Sequence, residues 1–532
     1  MKKIFFLFNL FSFSIFASEY NNYPFDWTNH FGVISQNGRV IWNDDWIYGI
    51  LFFDGTFANY PLRYGLNINE NYSLFNTGYF PKQDVELDTN FVDTRLQYTQ
   101  GDYYLDMLSI RTRYVDKSRL LSINGYKKTF TGPYGEYSLG MVQPIQQSYF
   151  IEYKTNQFQA AIGHFVTSNG VPDSSSNGSL YDRILNASIL TKGIIGDWKW
   201  TLYGSQYNQK YKVLHSSWYN ASIQYLTRSM IQGNIINEIK DSILISFGFR
   251  GNIRGLSDIE SFSSKKWGSM YSMLSIKNLN IEGGIFSINK DSNTFLRILF
   301  YLERQNKGIS IEANRKTKPS HQFTSENNIY SQFENTKSIE FRSWYDLSRF
   351  KIKTKLYSEY IFQSSNHKVE ILGGDINIVF SLSDDWIFSS NLRHLVNPSI
   401  VTDGVGDFLE FNLSAKENLF NNNMLLFIDL GLTGWINRES DISFNPIYCM
   451  PISIKDTDYI LEDQWILKSG ISLKVSSLKV TWKMNNILNA IQPTINSINE
   501  KQTLIVNNYL MHQNNRNLGR LMEIHIDWYF SD

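Results

Sequence analysis

The chain of 532 residues carries 50 basic and 50 acidic residues, so its net charge is zero, and it has one cysteine. That balance gives no electrostatic reason to expect nucleic acid as a partner, and the lone Cys449 excludes an intrachain disulfide and a cysteine-built metal site. Aromatic residues make up 15% of the chain and charged residues only 19%, below the ~25% of soluble domains. The mean hydropathy is nonetheless slightly polar, which suits a sheet with one lipid face and one wet face better than a bundle of membrane helices.

Lys2 and Lys3 precede an apolar run from Ile4 to Phe16, followed by the small residues Ala17 and Ser18. These are the three parts of a secretory signal, so residues 1–17 are expected to be cleaved after Ala17 on export. The run is too short to span ~30 Å of hydrocarbon as a helix, and no later stretch reaches about 18 apolar residues. Residues 18–90 form a second region, with Tyr-Pro-Phe-Asp-Trp at 23–27, turn pairs Asn37-Gly38 and Asp54-Gly55, and an aromatic cluster at Trp42–Phe53. A periplasmic lead-in, an insert in a lumen and additional strands all remain open for it.

From Phe91 onward the pattern is that of strands. Between Phe350 and Phe362 the even positions Phe350, Ile352, Thr354, Leu356, Ser358, Tyr360 and Phe362 share one face, and Lys351, Lys353, Lys355, Tyr357 and Glu359 the other, with Ile361 an exception. Alternation over so long a run exceeds the five or six residues of a common globular strand and suits the roughly 9–11 residues of a tilted membrane strand. The pattern recurs at Ile243–Phe249, Ile309–Ala313, Trp386–Leu392 and Leu478–Met484. Thr227–Ile239 also reads as a strand but upsets the parity of the count. Short turns alternate with long polar loops at Phe130–Gln146, Thr167–Ser179, Gly251–Trp267, Lys316–Lys337, Ile436–Glu462 and Leu488–Leu518. No repeat of 20–50 residues marks a propeller or solenoid. The expectation is therefore an all-β, antiparallel, up-and-down transmembrane barrel over residues 91–532, with about 22 strands (20–24), long extracellular loops and short periplasmic turns. The Gly-Gly pairs at 283–284 and 373–374 fall inside strand patterns and read as bends or bulges rather than phosphate loops.

On such a wall Lys351, Lys353, Lys355, Arg342 and Arg393 are expected to face the lumen, opposed by Glu340, Glu359 and Asp375. Interleaved signs favour cross-strand ion pairs over a selectivity lining. The eight histidines are scattered, with no His-Glu-x-x-His pair and no Gly-x-Ser-x-Gly elbow. His525 and Asp527 share a strand face without a positioned nucleophile. Neither an enzyme nor a cofactor is expected. On the last strand Arg520, Met522, Ile524, Ile526, Trp528 and Phe530 share one face while Leu521, Glu523, His525, Asp527 and Tyr529 share the other. An apolar face ending in aromatics marks it as the strand that closes and inserts the barrel.

Two C-terminal segments carry a resemblance. Leu478-Lys-Val-Thr-Trp-Lys-Met-Asn-Asn-Ile-Leu-Asn489 resembles the penultimate strand of TonB-dependent-receptor-type barrels, and Gly519-Arg520 with Leu521–Phe530 resembles their final strand. The stretch from Thr94 through Tyr137 is similar to plugless porin barrels related to them. The resemblance implies a bacterial outer membrane, contact with its lipid, the barrel-assembly machinery as reader of the last strand, and small-molecule solutes as cargo. Residues 19–90 are too few for the full plug domain that such receptors place before a 22-stranded barrel, and no TonB-contact segment is visible among them. The expected function is therefore porin-like passage of solutes. A TonB-dependent-type uptake receptor lacking a full plug and a surface adhesion or scaffold barrel are the alternatives.

Overall fold

The structure, a computed structural model, describes residues 20–24, 26–28, 32–40, 90–138, 144–170, 178–214, 222–239, 243–257, 262–288, 291–319, 333–362, 368–398, 402–439, 442–445, 450–453, 461–491 and 517–531. The cleavage site after Ala17, Cys449 and the cluster at Trp42–Phe53 lie outside these residues.

A small antiparallel sheet comes first, made of β1 (Tyr20–Pro24), β2 (Gly32–Gln36) and β3 (Arg39–Val40). The wall then begins with β4 (Phe91–Gly101), β5 (Leu105–Asp116), β6 (Arg119–Thr129), β7 (Ile145–Thr155), β8 (Phe158–Gly170), β9 (Ser179–Ile195), β10 (Trp198–Leu214) and β11 (Ser222–Glu238). It continues through β12 (Ile243–Ser257), β13 (Phe262–Ile276), β14 (Leu279–Ile288), β15 (Asp291–Arg304), β16 (Lys307–Pro319), β17 (Phe333–Asp346) and β18 (Phe350–Phe362). Next come β19 (Lys368–Ser381), β20 (Trp386–Leu395), β21 (Val405–Leu419) and β22 (Met424–Arg438). A two-stranded hairpin of β23 (Ile442–Asn445) and β24 (Met450–Ser453) interrupts the wall, which β25 (Gln464–Val475), β26 (Leu478–Asn485) and β27 (Leu521–Ser531) complete.

The wall strands form one closed barrel in which each pairs antiparallel with its sequence neighbour and β27 pairs with β4. Counting β4 through β22 with β25, β26 and β27 gives 22 strands. Closure is what a membrane demands, because an open edge would leave backbone N–H and C=O groups without partners in hydrocarbon. The Thr227–Ile239 stretch is the resolving element: it belongs to β11, which pairs with both β10 and β12 and makes the count even. The segment expected as a loop from Gly251 to Trp267 is mostly strand, since β12 runs to Ser257 and β13 resumes at Phe262. Polar and glycine residues there had masked a strand that projects beyond the apolar belt. β9, β10 and β11 have 17 residues each, well past the ~9–11 needed to cross the bilayer. The Gly-Gly pairs are not bulges. Gly283 and Gly284 stay in register with Leu296 and Phe295 on one side and with Ser272 and Tyr271 on the other.

The wall is polar on one face and apolar on the other. Buried polar pairs such as Arg113–Asp93, Gln159–Glu152 and Gln209–Asp182 occupy the polar face. Ile123, Ile151, Ile162, Leu185 and Ile235 stand exposed on the other face. On β27 the apolar set Met522, Ile524, Trp528 and Phe530 is exposed and Ile526 half-exposed. Asp527 pairs with Arg95, His525 bonds Thr99, and Tyr529 donates to Asp93. The Trp528 and Phe530 rings lie 4.3 Å apart at the closing seam. Replacing both with alanine is expected to cost about 2–4 kcal/mol of folding in lipid, from the apolar area no longer offered to hydrocarbon, whereas removing Ser531 and Asp532 costs little. Heat-modifiable migration of the two variants after refolding into vesicles measures this, and equal folded fractions would contradict it.

Candidate functional site

Among the described residues a group of buried charges gathers around the first forty residues. Asn37 and Gly38, both at positive φ (53° and 73°), make the tight turn between β2 and β3, the geometry that Asn-Gly pairs favour in hairpins. A Cβ at Gly38 would run into the Leu395 side chain, so the close approach of this turn to β20 also needs the glycine. Backbone pairing ties the small sheet to the connection between β20 and β21. Asp403 N donates to the Gly38 carbonyl at 2.9 Å, and Arg39 forms a β-bridge with Thr402.

Side chains then tie this sheet to strands far apart around the ring. Ser35 Oγ donates to Asp403 Oδ2 at 2.5 Å, and the Arg393 guanidinium grips the same carboxylate and the Val405 carbonyl. Arg393 and Asp403 have 1% and 0% side-chain exposure. Burial of such a pair is tolerable because each charge is matched and further hydrogen-bonded. Arg393 also lies 5.9 Å from the Tyr23 ring, which meets Phe408 edge-on, and Phe408 in turn meets Trp435. Arg39 pairs with Glu334 on β17 and with Glu359 on β18, the latter at 2.6 Å. Asn37 donates to Glu340 at 3.2 Å. On the other side of the ring Trp27 Nε1 donates to the Gly519 carbonyl at 2.9 Å, Lys128 on β6 donates to the Thr28 carbonyl at 3.0 Å, and Lys468 on β25 stands 6.0 Å from the Trp27 ring. Asn486, which follows β26, donates to that same Gly519 carbonyl. Gly519 therefore joins both segments that carry the C-terminal resemblance to the small sheet.

The expected lumen residues divide into three groups. Arg393, Glu340 and Glu359 meet the N-terminal sheet directly, and Arg342 is held by Glu340. Lys355 is buried against Asp375 and 5.5 Å from the Tyr357 ring. It is thus part of a buried pair rather than a wet cation, because cross-strand register sets it opposite Asp375. Lys351 pairs with Asp346 near the turn and is half-exposed, and Lys353 is exposed. The Lys351, Lys353 and Lys355 row is therefore not a common cation cluster. Sequence reading missed Arg39, Asp403, Glu334, Trp27, Lys128 and Lys468. Only the Tyr-Pro-Phe-Asp-Trp run and the Asn37-Gly38 pair signalled that this region is structured.

No family model matches the chain, and no curated protein matches it. Solved structures do. The FrpB iron transporter from Neisseria meningitidis (F3-3 variant) superposes with a TM-score of 0.66 at 10% identity, over 97% of this chain and 95% of that one. The copper transporter OprC gives 0.65 at 10% identity, over 96% and 94%. The ferric yersiniabactin uptake receptor FyuA from Yersinia pestis gives 0.64 at 9% identity, over 97% and 94%. Identities this low speak to the fold, and the closed ring of 22 antiparallel strands is the feature shared. The chain has the fold of a TonB-dependent-receptor-type outer-membrane barrel.

Proposed function

We propose that this protein is an outer-membrane uptake barrel whose lumen is closed by its N-terminal segment, in preference to an open porin. The observation that carries this reading is the attachment of residues 20–40 to the polar face of the wall at β6, β17, β18, β20 and β25. A 22-strand ring without an insert would leave a wide aqueous path. A segment bonded to opposite sides of that ring obstructs it, and its polar, ion-paired contacts can be exchanged for water more readily than a greasy core. The cargo class is a small solute such as a metal chelate, the kind named for the iron, copper and ferric yersiniabactin carriers of the same fold. Movement of the insert would then admit the cargo, with energy supplied from outside the barrel.

In planar bilayers the full-length chain is expected to show little steady conductance, and a variant lacking residues 19–90 to conduct at least about tenfold more, as expected for a 22-strand lumen without its filling. Full conductance from the intact chain would restore the porin reading. No conductance from either form, both shown folded by heat-modifiability, would favour a scaffold.

A further inference from the structure

On the apolar face of the wall a polar strip runs down β9, β10 and β11. On β9 and β10, Arg183 and Lys210 are direct cross-strand partners on this face. Like charges placed opposite one another destabilise a sheet unless something anionic lies between them. Lys212 follows on the same side of β10, and His164 on β8 accepts a hydrogen bond from Arg183 at 3.1 Å. Among the described residues no carboxylate lies on this face of β8, β9, β10 or β11.

Directly below the cations an amide and hydroxyl ladder replaces the usual apolar residues. Ser229 Oγ donates to Gln206, whose amide donates to Asn208 at 3.2 Å. Below the ladder the wall is hollowed. Gly204 faces Ile231, which faces Gly251, which faces Gly268, so one cross-strand row is almost without side chains. The notch is a cavity of about 390 Å³ bordered by Ser229, Ile231, Ile253 and Lys266. Beneath it the wall is again strongly apolar, with Phe249 and Met270 exposed.

We infer that this strip seats a phosphate-bearing lipid of the outer leaflet. The phosphate would lie across Arg183, Lys210 and Lys212, the polar linkage against Asn208, Gln206 and Ser229, and an acyl chain in the glycine-floored notch. Charge, polarity and shape follow one another in the order that such an amphiphile presents. Each surface cation near an anionic headgroup contributes attraction of its own, and the notch supplies the contact area that a free anion would not use. The inference rests on the outer-membrane placement of the barrel, which heat-modifiable folding into vesicles checks separately.

The test uses the full chain reconstituted in phosphatidylcholine vesicles containing either phosphatidylglycerol or a bis-phosphorylated glycolipid, with retained lipid read by native mass spectrometry. Two variants probe the site: Arg183→Gln with Lys210→Gln removes the charge, and Gly251→Leu fills the notch, where a Cβ would meet only Ile231 at 3.4 Å. Both are expected to fold and to lose phospholipid retention by about tenfold, the scale of one to two surface cations for the first and of about two buried methylenes for the second. Lys127→Gln, an exposed lysine on β6, should retain lipid as wild type does. Wild-type retention in both folded variants, or equal loss in Lys127→Gln, would overturn the inference. So would full displacement of the lipid by excess inorganic phosphate, since that would mark a site for the anion alone.

Discussion

A lysine at Leu356 is expected to abolish efficient folding into lipid, at a cost of about 2–4 kcal/mol for a charge near the bilayer midplane of a barrel. Leu356 is 61% exposed on the apolar face, near the middle of β18. Its neighbours on the opposite face give a graded comparison. Lys353→Ala should be almost neutral, because that side chain is exposed. Lys355→Ala should cost several kcal/mol for a different reason: it strips the buried Asp375 of its cation, and breaking a buried pair costs about 3–5 kcal/mol. The two mechanisms separate experimentally. Adding Asp375→Leu to Lys355→Met should recover folding, as replacing both members of a buried pair often does, whereas no partner change should rescue Leu356→Lys. Refolding yields in vesicles provide the measurement. Normal folding of Leu356→Lys would mean that the face assignment is inverted.

The second large effect is expected at Arg393. Its guanidinium is held by Asp403 and the Val405 carbonyl, and Asp403 in turn holds Ser35. Arg393→Ala should cost about 3–5 kcal/mol, since it leaves a fully buried carboxylate without a counter-charge. The pair Arg393→Met with Asp403→Leu should regain most of that stability while still releasing Ser35. Urea titration of the folded barrel reports the stability difference, and planar-bilayer conductance reports release of the insert. A stable double variant that conducts more than wild type is the expected result. A stable double variant as closed as wild type would mean that the remaining ties, those of Arg39, Asn37, Trp27 and Thr28 among them, keep the segment in place.

The barrel was legible because its rule is local. Period-2 alternation over long segments, turns of two rhythms and the aromatic ending of β27 each follow from a wall with lipid on one side. Legibility failed where the wall leaves the bilayer, as in the upper parts of β11, β12 and β13, because alternation loses its apolar half there. The site was less visible still. Lys355 and Asp375 are twenty residues apart and become a buried pair only through cross-strand register. Arg39 meets Glu334 and Glu359 across almost three hundred or more residues of chain. A sequence pattern can show that Glu340, Glu359 and Arg393 face inward. It cannot show that the insert supplies their partners, because that depends on closure of the whole ring.

The most direct test of the central claim is a cysteine pair at Arg39→Cys and Thr402→Cys, with Cys449→Ser to remove the native thiol. These two positions form a β-bridge between the N-terminal sheet and the connection that joins wall strands β20 and β21. Bridged antiparallel residues have Cα separations of about 4.5–5.5 Å, inside the range of about 4.4–6.8 Å for disulfides. In intact outer membranes the pair is expected to oxidise spontaneously and to shift the barrel's mobility on a non-reducing gel. Free reaction of both cysteines with a maleimide, in a barrel that is folded yet forms no disulfide, would contradict the attachment of the insert to the wall.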